Sequence, residues 1–170
     1  MEELVVRLIA TGGTIDEDYS DSETGRSLFT QSHVPKMLVE AGITDGIIFD
    51  ALFMKDSSAI TGEDRERILE RCVSCPERRI VITHGTNTMV ETAKALGQKI
   101  SNKTVVLVGA FAPYVEEGSD AVRNLKYAIE KAQQLPSGVY IAMNGKVFLW
   151  DNVKKNKEKQ VFENLKKTVE

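Results

Sequence analysis

The chain has very little with which to hold a metal. Its 170 residues include two cysteines and two histidines. Cys72 and Cys75 form a C-x-x-C, a spacing found in half-zinc sites and in redox pairs. Only His33 and His84 could add imidazoles. The cysteine pair also closes a helix, just before Pro76, where a redox pair would open one. Packing and a helix end are therefore the reading adopted for it, and no metal and no cofactor are expected. The chain also lacks a basic stripe outside its C-terminal tail, and its net charge is -3. Nucleic-acid affinity rests on neutralising phosphates, so no nucleic-acid partner is expected. No apolar run is long enough to span a bilayer. The first apolar stretch is broken by Arg7 and followed by no small-residue cleavage site. No leader and no membrane contact are expected, and the location expected is cytoplasmic. Neither G-x-G-x-x-G nor the P-loop pattern occurs, which weakens any phosphate-binding reading. Internal repeats and low-complexity segments are absent too.

What is present is an ordinary globular composition, 42% hydrophobic and 28% charged. A length of 170 residues suits one domain, 1–170, with a sizeable core. Apolar strand-like runs alternate with helical patterns. Strands are predicted at Leu4 to Ala10, Ile47 to Phe53, Ile80 to Thr83, Thr104 to Ala110 and Gly138 to Met143. The Thr104 run is apolar almost throughout, as suits a strand covered on both faces. Asn144-Gly145 between two apolar runs predicts a two-residue hairpin returning along Val147 to Trp150. Helices are predicted after Ser32, after Thr61-Gly62-Glu63-Asp64 (a capping box), after Thr88 and after Ser119. The second is expected to bury Ile68, Leu69, Cys72 and Val73; the fourth, Val122, Leu125, Ile129 and Ala132. This order argues for a three-layer α/β/α fold: a doubly wound, mostly parallel sheet with a C-terminal β-hairpin.

The strand ends carry the polar chemistry. Thr11-Gly12-Gly13-Thr14 follows the first strand, Asp56-Ser57-Ser58 the second, and His84-Gly85-Thr86-Asn87-Thr88 the third. In an open α/β sheet the crevice beyond such ends is where ligands bind. Thr14 and Thr86 are candidate nucleophiles, each needing a neighbouring base or lysine. Strand-end Ser and Thr also simply cap helices. Gly12-Gly13 suits close approach of a ligand to the backbone. The polar, acidic segment 16–30, with Tyr19, is long for a connection and fits a lid. His84 is read as a satisfied structural histidine.

ATGGTID, KDSS, VITHGTNTMVETA, VLVGAFAP and the tail around Asn152-Val153-Lys154-Lys155-Asn156 occur in one order over most of the chain. Together they resemble the bacterial-type L-asparaginase family, in the length of its N-terminal domain alone. The resemblance implies hydrolysis of asparagine, and often glutamine, to the acid and ammonia through an acyl-enzyme without metal or cofactor. It implies Thr14 as nucleophile on the side-chain amide and Tyr19 as the group that activates it. It implies that Thr86 works with a lysine, for which Lys155 is the best match and adjacent Lys154 the alternative. Asp56 and Ser57 hold the α-carboxylate and amino group, Gly13 and Gly85 line the site, and Ala110 and its neighbours line it through backbone groups. The expected partner is a small amino-acid amide.

One position departs from the family pattern. Where the family has aspartate after HGT, this chain has Asn87. The lost charge implies weaker substrate binding or an altered substrate, with a lowered lysine pKa. Two rivals follow: a weakened relative that captures an amino acid without efficient turnover, and, by fold analogy alone, a nucleotide-binding module. The short length and the acidic lid make a homo-oligomer the expectation.

Overall fold

A computed structural model describes residues 4–20 and 22–165 of the chain. Asp21 of the acidic segment and the last five residues of the tail lie outside the described residues. In chain order, β1 (Val6–Gly12) is followed by a 3-10 turn (Thr14–Asp16) and a small hairpin of β2 (Tyr19–Ser20) and β3 (Ser27–Leu28). Then come α1 (Val34–Glu40), β4 (Ile47–Lys55), α2 (Gly62–Ser74), β5 (Arg79–Thr83) and α3 (Met89–Gly97). The chain continues through β6 (Thr104–Val108), α4 (Ala121–Gln134), β7 (Gly138–Met143) and β8 (Lys146–Leu149). A last hairpin, β9 (Lys154–Asn156) and β10 (Val161–Glu163), closes the described structure.

The main sheet runs β4-β1-β5-β6-β7-β8. Its first five strands are parallel, and β8 pairs antiparallel with β7 through the Asn144-Gly145 turn. Helices α1 and α4 pack together, as do α2 and α3. The two pairs cover the sheet's two faces, giving the three-layer α/β fold expected. Strands β5, β6 and β7 are buried along nearly their whole length, because a parallel sheet between helices has no wet face. The chain leaves β1 for β4 on one side, then for β5 on the other. That reversal opens a crevice at the carboxyl ends of β1 and β5.

Local chemistry fixes the element ends. Thr61 and Asp64 form a reciprocal capping box, with Asp64 N donating to Thr61 Oγ1 at 3.1 Å and Thr61 N to Asp64 Oδ2 at 3.0 Å. Ser32 and Ser119 sit one residue before the N-cap positions expected of them, yet their hydroxyls still accept from Val34 N and Ala121 N. At the other end of α2, buried Lys103 donates to the carbonyls of Cys72 and Cys75. Both thiols are free and buried, and desolvation pushes the Cys72 thiol up to about 12, which makes it a poor nucleophile.

Two expectations need correction. Val73 is 63% exposed, because α2 turns Asp64, Ile68 and Cys72 inward and its next residue falls on the solvent side. Val122 is only partly buried; Asn124 takes the inner position, donating to Gly109 O at 3.0 Å.

Candidate active site

Three loops meet at the crevice. Gly12 and Gly13 leave β1 with φ of 99° and 83°, a left-handed path that favours glycine. The need for glycine at residue 13 comes from the protein's own backbone as well as from any ligand. A Cβ there would lie 2.5 Å from Gly85 Cα. A Cβ on Gly85 would lie 2.6 Å from Ser57 Cβ. The loops after β1, β5 and β4 are therefore packed backbone to backbone. Gly13 N donates to Lys55 O at 2.9 Å, and Thr88 Oγ1 to Ser57 O at 2.8 Å, which cross-tie them.

Between these loops lies a polar cavity of about 130 Å³, lined by Gly13, Thr14, Asp56, Ser57, Gly85, Thr86, Asn87, Phe111, Lys155 and Gln160. Lys155 Nζ donates to Thr86 Oγ1 at 2.8 Å and to Asn87 Oδ1 at 2.9 Å. Neighbouring residues of a strand point to opposite faces. Lys154 accordingly turns away, 4.0 Å from Glu163. Lys155 has no ion pair among the described residues. Burial, and then the charge of Lys157, hold its ammonium below the usual lysine range. It lies 5.6 Å from the centroid of the Phe111 ring, a cation–π contact. Phe111 in turn meets Phe162 of β10, so the hairpin that carries the lysine is pinned by aromatic packing. Asp56 accepts from Ser58 N at 2.8 Å and from Ser27 Oγ of the β2–β3 hairpin at 3.0 Å.

Eight of the ten site residues expected from sequence line this cavity: Thr14, Thr86, Lys155, Gly13, Asp56, Ser57, Gly85 and Asn87. Tyr19 is 62% exposed on β2 and is outside the lining. Ala110 is buried and outside the lining, which includes its neighbour Phe111. Phe111 is one of the neighbours of Ala110 expected at the site, and Gln160 is the lining residue that sequence reasoning misses. A larger cavity of about 660 Å³ opens near Glu77, Arg78, Thr104 and Pro136, at the opposite ends of the strands. It contains no hydroxyl paired with an amine, so the chemistry belongs to the smaller one.

His84 supports the site from below. Its Nδ1 is 2.7 Å from Gly85 O, which can only accept, so Nδ1 carries the proton. Its Nε2 then accepts from Thr92 Oγ1 at 2.8 Å, and that oxygen accepts from Arg65 Nε. The ring is fully buried, and desolvation lowers its pKa to about 4. Unfolding exposes a histidine that titrates near its ordinary 6.5. The unfolded state thus binds the extra proton between pH 6.5 and 4, and stability falls as pH drops through that window. Urea melts should show constant stability above pH 6.5, then a loss approaching about 1.4 kcal/mol per pH unit. A flat profile down to pH 4.5 would contradict a neutral, buried His84.

The comparisons with known proteins agree with this architecture. The sequence model described as "Asparaginase, N-terminal" matches residues 5–166. An L-asparaginase of Thermococcus kodakarensis is 44% identical over 78 residues, which is 45% of this chain and 24% of that protein. A glutamyl-tRNA(Gln) amidotransferase subunit from Methanococcus maripaludis is 31% identical over 147 residues, 82% of this chain and 35% of its own. Among solved structures, the thermostable L-asparaginase from Thermococcus kodakarensis superposes with a TM-score of 0.76 at 32% identity, covering 94% of this chain and 50% of that one. A probable cytoplasmic L-asparaginase from Campylobacter jejuni gives a TM-score of 0.79 at 28% identity, covering 94% and 52%. The chain thus spans about half of these structures and about a third or less of these two curated relatives. Among the described residues no helix is long and apolar enough to cross a membrane. With the domain match covering nearly the whole chain, and the fold shared with solved L-asparaginases, the chain belongs to the bacterial-type L-asparaginase family, through its N-terminal domain.

Proposed function

We propose that the chain is an amidohydrolase that releases ammonia from asparagine, and from glutamine as a second substrate, through a threonine acyl-enzyme. The single observation that carries this is the Lys155 Nζ to Thr86 Oγ1 contact across a small polar cavity that also holds Thr14. A lysine held below its usual range is closer to neutrality, and so better suited to take a proton. In the proposed sequence the Thr14 hydroxyl attacks the side-chain amide carbonyl. The C–N bond breaks as the hydroxyl proton passes to the departing nitrogen, ammonia leaves, and an ester to Thr14 remains. Thr86 and Lys155 then draw a proton from the water that cleaves the ester. Asp56 and Ser57 hold the amino-acid end. Tyr19 contributes only when lid movement carries its phenol to the cavity. A cavity of about 130 Å³ suits one small amino-acid amide. The steady-state assay is ammonia release from asparagine and glutamine by the full chain, run over a range of protein concentrations so that any self-association is sampled. No release from either substrate at any pH would overturn the proposal.

A second reading, capture of an amino acid without efficient turnover, is favoured by one observation: Asn87 offers Lys155 a neutral oxygen. Asparagine binding with a thermal shift but without ammonia would select it. Asn87→Asp separates the contributions. The new carboxylate beside Lys155 raises the lysine pKa, so the rising limb of the rate–pH profile moves to higher pH. Replacing a neutral hydrogen bond by a charge-assisted one strengthens asparagine binding about fivefold or more. Succinamic acid, lacking the amino group, should gain nothing. Equal gains for both ligands would remove Asn87 from the amino-group subsite.

A further inference from the structure

The hairpin that delivers Lys155 carries a second residue into the cavity. Strands β9 and β10 pair Asn156 with Val161, leaving a four-residue connection, 157–160. Asn156 organises the loop: its Oδ1 accepts from Lys159 N at 3.1 Å and its Nδ2 donates to Glu163 Oε1 at 2.9 Å. The last loop residue, Gln160, has φ of 54°. Among the described residues only one other non-glycine, Asn144, has a positive φ. Asn144 opens an Asn-Gly hairpin turn, where asparagine is a favoured residue. Gln160 has no such excuse, because glutamine is disfavoured in the left-handed region and glycine would sit there without strain. Backbone strain of this kind clusters at active sites and ligand clamps.

Gln160 lines the same cavity as Thr14, Thr86 and Lys155. The other carboxamide there, Asn87, has its oxygen engaged by Lys155 and its nitrogen facing Ser58 Oγ at 3.5 Å. Asp56 already accepts from Ser58 N and Ser27 Oγ. Gln160 makes no side-chain hydrogen bond among the described residues. Beside the Thr14 hydroxyl, which the proposed chemistry uses, its carboxamide is thus the lining group left open to a ligand.

We infer that Gln160 is a specificity-determining residue: its carboxamide donates to the carboxylate and accepts from the ammonium of a zwitterionic α-amino-acid substrate. It acts in binding, and the chemical step does not use it. The choice of amino-acid ligand rests on the amidohydrolase reading above; the geometry of the loop does not.

The test is Gln160→Gly in the full chain, with three readouts whose signs differ. Glycine relieves the backbone, so the melting temperature holds or rises by about 2–4 °C. Removing the carboxamide raises KM for asparagine, and Kd for the product L-aspartate, roughly five- to tenfold. The value of kcat stays within about twofold, as expected when only uniform binding is lost. Gln160→Asn, which tolerates the left-handed backbone but is shorter, should show the raised melting temperature with a partial loss of affinity. Unchanged KM and Kd, whatever the melting temperature, would make Gln160 a turn residue and overturn the inference. If the parent binds L-aspartate but releases no ammonia, the amidohydrolase reading fails and the Kd comparison still decides on Gln160. A parent that binds neither amino acid overturns both.

Discussion

Lys155→Met should lower ammonia release from asparagine by roughly 10²- to 10⁴-fold, the range lost with a general base, and leave the fold standing. The size follows from what the lysine touches. Its Nζ is the ammonium that reaches Thr86 Oγ1, at 2.8 Å, and it also holds Asn87 Oδ1 at 2.9 Å. Removing it leaves Thr86 with no base. The fold should survive because methionine keeps the apolar stem beside Phe111. The hairpin itself is held by Phe162, buried between Phe111 and Phe148. Thr86→Val should cost about as much, and the double variant should cost little more than either alone, since the two groups act as one unit. Lys154→Met and Lys159→Met should change the rate less than about twofold, because neither residue lines the cavity. The measurements are kcat and KM for ammonia release, beside thermal melts of each variant. Parent-level turnover in Lys155→Met would remove the lysine from the mechanism.

The sequence is most legible where local chemistry and the global fold agree. The runs at 80–83 and 104–108 can be read as central strands because a strand covered on both faces has no alternative composition. The site can be placed at strand ends because Thr, Gly and Asn cluster there with no apolar residues between them. The last hairpin is invisible for the opposite reason. Its strands, Lys154–Asn156 and Val161–Glu163, are three residues each and mostly polar. Nothing in KKNKEKQVFE alternates strongly, and the hairpin exists because one residue, Phe162, finds an aromatic partner in the loop after β6. That contact joins distant parts of the chain and leaves no local trace.

The glycines of the first loop show a different limit. Gly12-Gly13 reads as room for a ligand, and Gly13 does line the cavity. Yet the nearest obstacle to a side chain at residue 13 is the Gly85 backbone, and at residue 12 it is the Lys55 backbone, whose carbonyl oxygen lies 2.6 Å from the added Cβ. A sequence cannot distinguish space kept for a substrate from space taken by a neighbouring loop. In the same way the aromatic ring of Tyr19 reads as part of a lid, whereas the β2–β3 hairpin is held by Asp18 to Thr30 and by Ser27 to Asp56. Where the ring points depends on how the hairpin is seated, which no residue spacing fixes.

Thr14→Val should abolish acyl transfer, with turnover falling on the order of 10⁴-fold or more, the scale of losing a nucleophile from a unit that acts together. Valine replaces the hydroxyl by a methyl group of nearly the same shape and keeps the β-branch. The 3-10 turn at Thr14–Asp16 is closed by main-chain bonds, with Asp16 N donating to Gly13 O at 3.0 Å and Glu17 N to Thr14 O at 3.1 Å. None of these needs the Thr14 side chain, so the melting temperature should barely move. The two threonines differ in their surroundings, and this makes their roles separable. Thr86 is bonded to Lys155, whereas among the described residues the Thr14 hydroxyl has no lysine or imidazole within hydrogen-bond reach. If Thr14 receives the acyl group and the Thr86–Lys155 pair serves the water, the variants part company in a quenched reaction with asparagine. Thr86→Val should form the ester slowly and then retain it, so peptide mass spectrometry finds an aspartyl adduct on the peptide containing Thr14. Thr14→Val should show no adduct at any time. An adduct on the peptide containing Thr86 would reverse the two assignments, and parent-level turnover in Thr14→Val would take that hydroxyl out of the reaction.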